Sequence, residues 1–320
     1  MLKHSYSPAG PATDSGPPAV PSEVLAAVRR IQLRASRAVD DVLAGQYRST
    51  FRGMGMEFEE VRPYAPGDDI RSIDWNVTAR TGQPFVKRYV EERELTVFLV
   101  VDVSASGRFG SHKQSKGEVA AELTALLSLA AISNDDKVGL LLVSDQVERF
   151  VPAKKGKKHV LRVIREVLSS RPVHRGTALA EGVAYLSRVA RRHATVFLIS
   201  DFLTDTSPDG PLARALRVAR RRHDVVAVSI RDRREERLPS AGLIELEDLE
   251  TGAVRLVDSS SAAVRAAFEK KADRRSTERA ELLRRMGVDE VPVEVTGDWV
   301  EALVRFFRRR GKRARRRSGG

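Results

Sequence analysis

From residue 95 onward the chain alternates between two kinds of apolar pattern. LTVFLVVDV (95–103), KVGLLLVSD (137–145), ATVFLISD (194–201) and DVVAVSI (224–230) are near-continuous apolar runs, most of them closed by polar residues. A strand covered on both faces reads this way. Between these runs the apolar residues fall at helical spacing: Val119, Leu123, Leu126 and Ala130, then Val160, Ile164 and Val167, then Leu179, Val183, Leu186 and Ala190. A fourth helix is predicted to begin near Pro211, a residue suited to a first helical turn. Buried strands alternating with helices predict an α/β fold with a mostly parallel, doubly wound sheet and helices on both faces. VERFVP (147–152) follows its neighbour too closely for a crossover helix, so it is expected to be an antiparallel edge strand. A helix from about Ser260 to Arg285, a short strand VPVEV and a last helix are predicted to follow, with Asp298 and Glu301 spaced like a capping box.

The region before residue 95 reads differently. Residues 1–21 are rich in Pro, Gly and Ser and are expected to be disordered. Ser22 is placed to cap a helix that Gly45 is placed to end, and residues 47–94 read as short strands and turns around Pro66-Gly67-Asp68-Asp69. Segment 22–94 is thus expected to be a helix and a small β-rich unit resting on a larger domain, 95–307, since so short a β segment cannot bury a core of its own.

Net charge changes the picture only once it is located. Of the formal +13, eight positive charges lie in RRRGKRARRR (308–317), so the body is only mildly basic. A block of like charges repels itself, and 308–320 is expected to be a disordered tail. With 6% aromatic residues the chain lacks the stacking platforms of single-strand binders, so no specific nucleic-acid partner is expected. The alternative function left open is nucleic-acid or anionic-membrane binding, including peripheral membrane contact, through the arginine-rich tail.

There is no cysteine, no apolar run of 18 residues and no secretory leader, and the expected location is the cytoplasm. The six histidines are scattered without zinc spacing, and neither a Walker A loop nor a G-x-S-x-G elbow is present. No catalytic residue is expected.

One constellation carries chemistry. The first buried strand runs straight into Asp102-Val103-Ser104-Ala105-Ser106, a later one delivers Asp201, and a loop before the third helix offers Arg175-Gly176-Thr177. In open α/β sheets ligands bind beyond the carboxyl ends of strands, where strand order reverses. Alternation points Asp102, Ser104 and Ser106 the same way if the loop stays extended. Two carboxylates and three hydroxyls are hard oxygen donors suited to Mg²⁺, and three neutral ligands leave the ion electrophilic toward an outside carboxylate. The plainer reading makes Asp102 a helix cap and the serines ordinary loop residues. The ordered match at later strand and loop ends weighs against it.

Asp102-x-Ser104-x-Ser106, then Thr177, then Asp201 resembles the metal-ion-dependent adhesion site of von Willebrand factor type A domains. GMEFEEVRPYAPGDDIRSIDWNVTARTGQPFVKRYVEE (55–92) resembles the signature of the bacterial and archaeal family known as domain of unknown function 58. The resemblance implies a type A domain over 95–307, Mg²⁺ or alternatively Mn²⁺ held by those five residues, and non-enzymatic binding of a partner's carboxylate. Similar proteins are usually encoded beside a MoxR-type AAA+ ATPase and are thought to act with it as a chaperone-like or assembly pair, so the implied partner is such an ATPase or its client. Within the signature, Arg71, Asp74 and Trp75 are read as structural, with Trp75 packed and Arg71 paired to a carboxylate. A partner surface formed by the same three residues is the alternative.

Overall fold

The computed structural model describes residues 26, 29–30, 43–51, 56–91, 94–111, 114–170 and 176–318. The Pro/Gly-rich start, most of the helix expected over 22–44, and Arg175 lie outside the described residues. Helix α1 (Ala44–Phe51) precedes an antiparallel ribbon of β1 (Met56–Pro63) and β2 (Phe85–Glu91), with helix α2 (Trp75–Thr81) in the connection between the two strands. The main body follows as β3 (Thr96–Asp102), α3 (Lys116–Ile132), β4 (Lys137–Val143), β5 (Val147–Lys154), α4 (Lys157–Leu168), α5 (Leu179–Val189) and β6 (Thr195–Ser200). It continues through α6 (Pro211–Arg220), β7 (Asp224–Arg231), α7 (Arg233–Glu236), a second ribbon of β8 (Leu243–Glu247) and β9 (Val254–Asp258), then α8 (Ala262–Arg285), β10 (Asp289–Glu294) and α9 (Trp299–Ser318).

The main sheet has the order β10-β7-β6-β3-β4-β5, parallel throughout except for β5, which pairs antiparallel at the edge as its short connection requires. The chain winds outward from β3 to β4 and β5, then returns to the other side of β3 to lay down β6, β7 and β10. Strand order therefore reverses between β3 and β6. That reversal makes the carboxyl ends of these two strands the natural ligand crevice.

Alternation along β3 divides the core into two layers. Val97, Leu99 and Val101 join α3, α4, α1 and α9 on one face, while Phe98 and Val100 join α5, α6 and the end of α8 on the other. Helix α5 lies so close over β4 that a Cβ on Gly182 would come within 2.5 Å of Val143. Helix α3 is buried on all sides, because α1 and α9 cover the face that a two-layer domain would leave wet.

Several expectations are corrected here. The first helix does not stop at Gly45; α1 runs through it to Phe51. Burial of Tyr47 and Phe51 beside Phe307 outweighs the roughly 1 kcal/mol that a helical glycine costs. The core also ignores the boundary at 94/95, since Leu43, Tyr47 and Phe51 belong to it, and Tyr47 Oη donates to Asp136 at 2.9 Å.

The basic tail expected to be disordered from 308 is helical as far as Ser318. Its Arg310 is mostly buried, bonded to both oxygens of Asp224 at 2.5 Å, 3.3 Å from Asp289, and stacked over Phe51 and Phe306. Like-charge repulsion is relieved by carboxylates at the starts of β7 and β10.

In the signature segment, Asp74 is buried. It caps α2 by accepting from the backbone of Asn76 and Val77, and it pairs with Lys87 at 3.2 Å. Trp75 is not packed as expected: it is 67% exposed, as is Ile70 at 66%. Arg71 is exposed and has no carboxylate partner among the described residues. Of the three residues read as structural, Asp74 is built into the fold, while Arg71 and Trp75 are exposed.

Candidate metal centre

The site grows from the ends of β3 and β6. Asp102 closes β3; its Oδ1 accepts from the Ser104 amide at 2.9 Å and its Oδ2 from the Ser200 hydroxyl at 2.6 Å. After Ser104 the chain does not stay extended, as alternation had assumed, but enters a 3₁₀ turn over Ala105–Arg108. The turn still brings the hydroxyls of Ser104 and Ser106 to 3.0 Å from each other. Two adjacent oxygens in an octahedral Mg²⁺ shell, each about 2.1 Å from the ion at a right angle, stand about 3.0 Å apart, so this pair has the spacing of neighbouring ligands.

Asp201 follows β6 directly and is buried, as are Asp102, Ser104 and Ser106. The next residue, Phe202, holds φ at 57°, unusual for an aromatic. It is kept there by Ser200 Oγ, which accepts its amide at 2.9 Å, while Asp201 Oδ1 accepts from Leu203 at 3.1 Å. Asp201 lies close enough for its charge to be felt at Asp102. Burial first, and the charge of Asp201 second, push the Asp102 carboxyl up to about 6, although hydrogen bonds from Ser200 and Ser104 pull the other way. A divalent cation between the two acids would relieve that repulsion.

Two features were not foreseen. Lys116, in the first turn of α3, is 2% exposed and donates to Asp201 at 2.6 Å and to Glu235 at 2.7 Å. Burial disfavours its ammonium, but the two carboxylates outweigh burial and raise its pKa above the ordinary value. Burial raises that of Glu235.

The second feature is at Thr177, which sits at the entry to α5 and donates its hydroxyl to Glu250 at 2.6 Å, across 73 positions of sequence. Burial raises the Glu250 carboxyl, the Thr177 bond lowers it, and the charge of Asp201 is felt there. The hydroxyl of Thr177 is thus engaged by a carboxylate of the second ribbon rather than by any of the other four predicted residues.

The one local signal for these partners is Lys116 itself. A lysine directly after the Ser115 cap faces the positive end of a helix dipole, where cations are disfavoured. Among the described residues no three His, Asp or Glu side chains converge as a metal cluster. The donor set instead combines two carboxylates with hydroxyls, hard oxygen donors of the kind Mg²⁺ takes.

The fold and crevice define a doubly wound α/β protein with oxygen donors at its switch point. Within that class the chain belongs to the DUF58 family: the model described as "Protein of unknown function DUF58" matches residues 60–278. It is 34% identical over 295 residues to the uncharacterized protein Rv1480 of Mycobacterium tuberculosis, covering 90% of this chain and 91% of that protein. It is 27% identical over 131 residues to the uncharacterized protein YeaD of Bacillus subtilis, covering 41% of this chain and 29% of YeaD. Among solved structures, the conserved hypothetical protein BatB of Bacteroides thetaiotaomicron is similar at 17% identity and a TM-score of 0.44, over 68% of this chain and 99% of BatB. A von Willebrand factor type A protein from Catenulispora acidiphila is similar at 12% identity and a TM-score of 0.35, over 71% of this chain and 44% of that one. Scores of this size mark a distant likeness, and the fold rests on the sheet order itself. Among the described residues no helix is long and apolar enough to cross a membrane.

Proposed function

We propose that this protein is a non-enzymatic adaptor that grips an acidic side chain of a partner protein through Mg²⁺ held by Asp102, Ser104, Ser106, Thr177 and Asp201. The observation that carries the reading is the meeting of Asp102, Asp201 and the two serine hydroxyls, 3.0 Å apart, at the sheet's switch point. When bound, Mg²⁺ supplies a Lewis-acidic position for one outside carboxylate. The chain's own groups hold and tune that position: Ser200 fixes Asp102, and Lys116 restrains Asp201. The resemblance of residues 55–92 to the family signature supports a MoxR-type AAA+ ATPase or its client as partner, in chaperone-like assembly or maturation of other proteins in the cytoplasm.

The test is calorimetric Mn²⁺ titration of wild type and Ser104→Ala, with capture of the ATPase in Mg²⁺ and in EDTA. Ser104→Ala removes one donor at nearly constant volume and is expected to lose both metal and partner while keeping its fold. If the variant keeps both, the adhesion-site reading is wrong.

A further inference from the structure

We propose that Glu250 is a ligand supplied by this chain to its own metal centre, occupying the position a partner carboxylate must take. The inference rests on the metal reading above and concerns how the site is kept closed.

The presentation of Glu250 is built into the second ribbon. In the turn between β8 and β9, Asp248 Oδ1 accepts from the amides of Glu250 at 3.0 Å and Thr251 at 3.1 Å. Gly252, at φ +73°, returns its amide to the Asp248 carbonyl at 2.6 Å. The tip is thus fixed by its own hydrogen bonds before it meets anything else. It delivers the Glu250 carboxylate to the Thr177 hydroxyl at 2.6 Å. A threonine hydroxyl that donates to a carboxylate keeps its oxygen lone pairs free, so Thr177 and Glu250 can face one cation side by side.

Electrostatics makes the placement informative. Asp201 and Glu235 share the single ammonium of Lys116, and the charge of Asp201 is felt at Asp102 as well. A fourth carboxylate is repelled there unless a further positive charge is present. A divalent cation supplies that charge and gives Glu250 a reason to point inward.

The consequence is a site occupied from within. The ribbon lines a cavity of about 1240 Å³ that reaches from Leu246, Val257 and Phe268 to Ser106 and Glu250. A partner's acid must displace Glu250 from the metal, and displacement frees the ribbon that lines this cavity.

The full-length chain with Mn²⁺ alone tests this. Affinity would be read by electron paramagnetic resonance and bound water by proton relaxation, for wild type, Glu250→Gln and Glu250→Asp. Glu250→Gln is expected to weaken Mn²⁺ about tenfold and to add one water to the bound ion. Protease cleavage within 243–258 should increase in the same variant. Glu250→Asp retains the charge on a shorter arm and should fall between, which keeps the test decisive should the glutamine variant fold poorly. If Glu250→Gln binds Mn²⁺ as tightly as wild type and with the same hydration, Glu250 is merely a hydrogen-bond partner of Thr177 and the proposal is overturned. If wild type binds no Mn²⁺, the adhesion-site reading itself fails and takes this proposal with it.

Discussion

Replacing Lys116 by Met should make the stability of this protein depend on divalent cations far more than it does in the wild type. The substitution keeps an unbranched apolar stem and removes only the buried ammonium that joins Asp201 at 2.6 Å and Glu235 at 2.7 Å. Removing one member of a buried ion pair costs roughly 3–5 kcal/mol, because the charge left behind remains desolvated. Here Asp201 keeps its bond from the Leu203 amide, and the Glu235 side chain, 24% exposed, can recover some water. The lower end, about 3 kcal/mol, is therefore expected in the absence of metal, or about 6–12 °C in Tm for a domain of this size. Wild type should gain about 2.7 kcal/mol at a free Mg²⁺ concentration one hundred times its Kd. Lys116→Met should gain more at the same concentration, because the cation then neutralises Asp201 unaided and binds more tightly. Thermal melts with EDTA and across a Mg²⁺ series read both numbers. Equal melting temperatures for the two proteins in EDTA, or equal shifts on adding Mg²⁺, would refute the assignment of Lys116 as the charge that stands beside the metal.

Two further predictions follow from the buried charges. Asp102 and Asp136 both have carboxyls raised to about 6, chiefly by burial, so between pH 4 and 6 the folded protein binds protons that the unfolded chain has released. Metal-free stability should therefore fall as pH rises through that window, by up to about 2–3 kcal/mol for each group, and saturating Mg²⁺ should abolish only the Asp102 share; urea denaturation at stepped pH with and without Mg²⁺ measures it. Arg310→Ala should lose about 2–3 kcal/mol, since Asp224 keeps only Arg220 at 3.3 Å, whereas deletion from Lys312 onward should change stability by less than about 0.5 kcal/mol. Equal losses in urea melts would mean that the whole basic segment acts as a unit.

Much of this was legible in the sequence, for reasons that also explain the misses. Strands buried on both faces leave unbroken apolar runs, so β3, β4, β6 and β7 announce themselves, and the short connection into β5 fixes its direction. The placement of Asp102, Ser104 and Ser106 at the end of β3, and of Asp201 at the end of β6, was legible because a strand's end and its loop are neighbours in sequence. Glu235 and Glu250 were not, because a polar contact across 119 or 73 positions imposes no local period. The basic tail was misread because counting its cations ignores the acids that await them: Asp224 and Asp289 stand at the starts of β7 and β10 and hold Arg310 in place. Gly45 misled for a related reason, as its local cost is small beside the burial of Tyr47 and Phe51.

The distribution of unfavourable features across the fold is itself an argument for a site. Most of the core is apolar and regular, with alternate residues of each strand filling two clean layers. At the carboxyl ends of β3 and β6, by contrast, two like-charged aspartates are buried together, a lysine is taken out of water, and an aromatic residue holds a left-handed backbone. Each of these costs free energy that an apolar replacement would recover, and backbone strain and buried charge gather where a ligand uses them. Purely structural demands would not place all three within one crevice, at the point where sheet topology already favours ligand binding. The cation proposed for this site would join them, because it would neutralise the aspartates and share its field with Lys116.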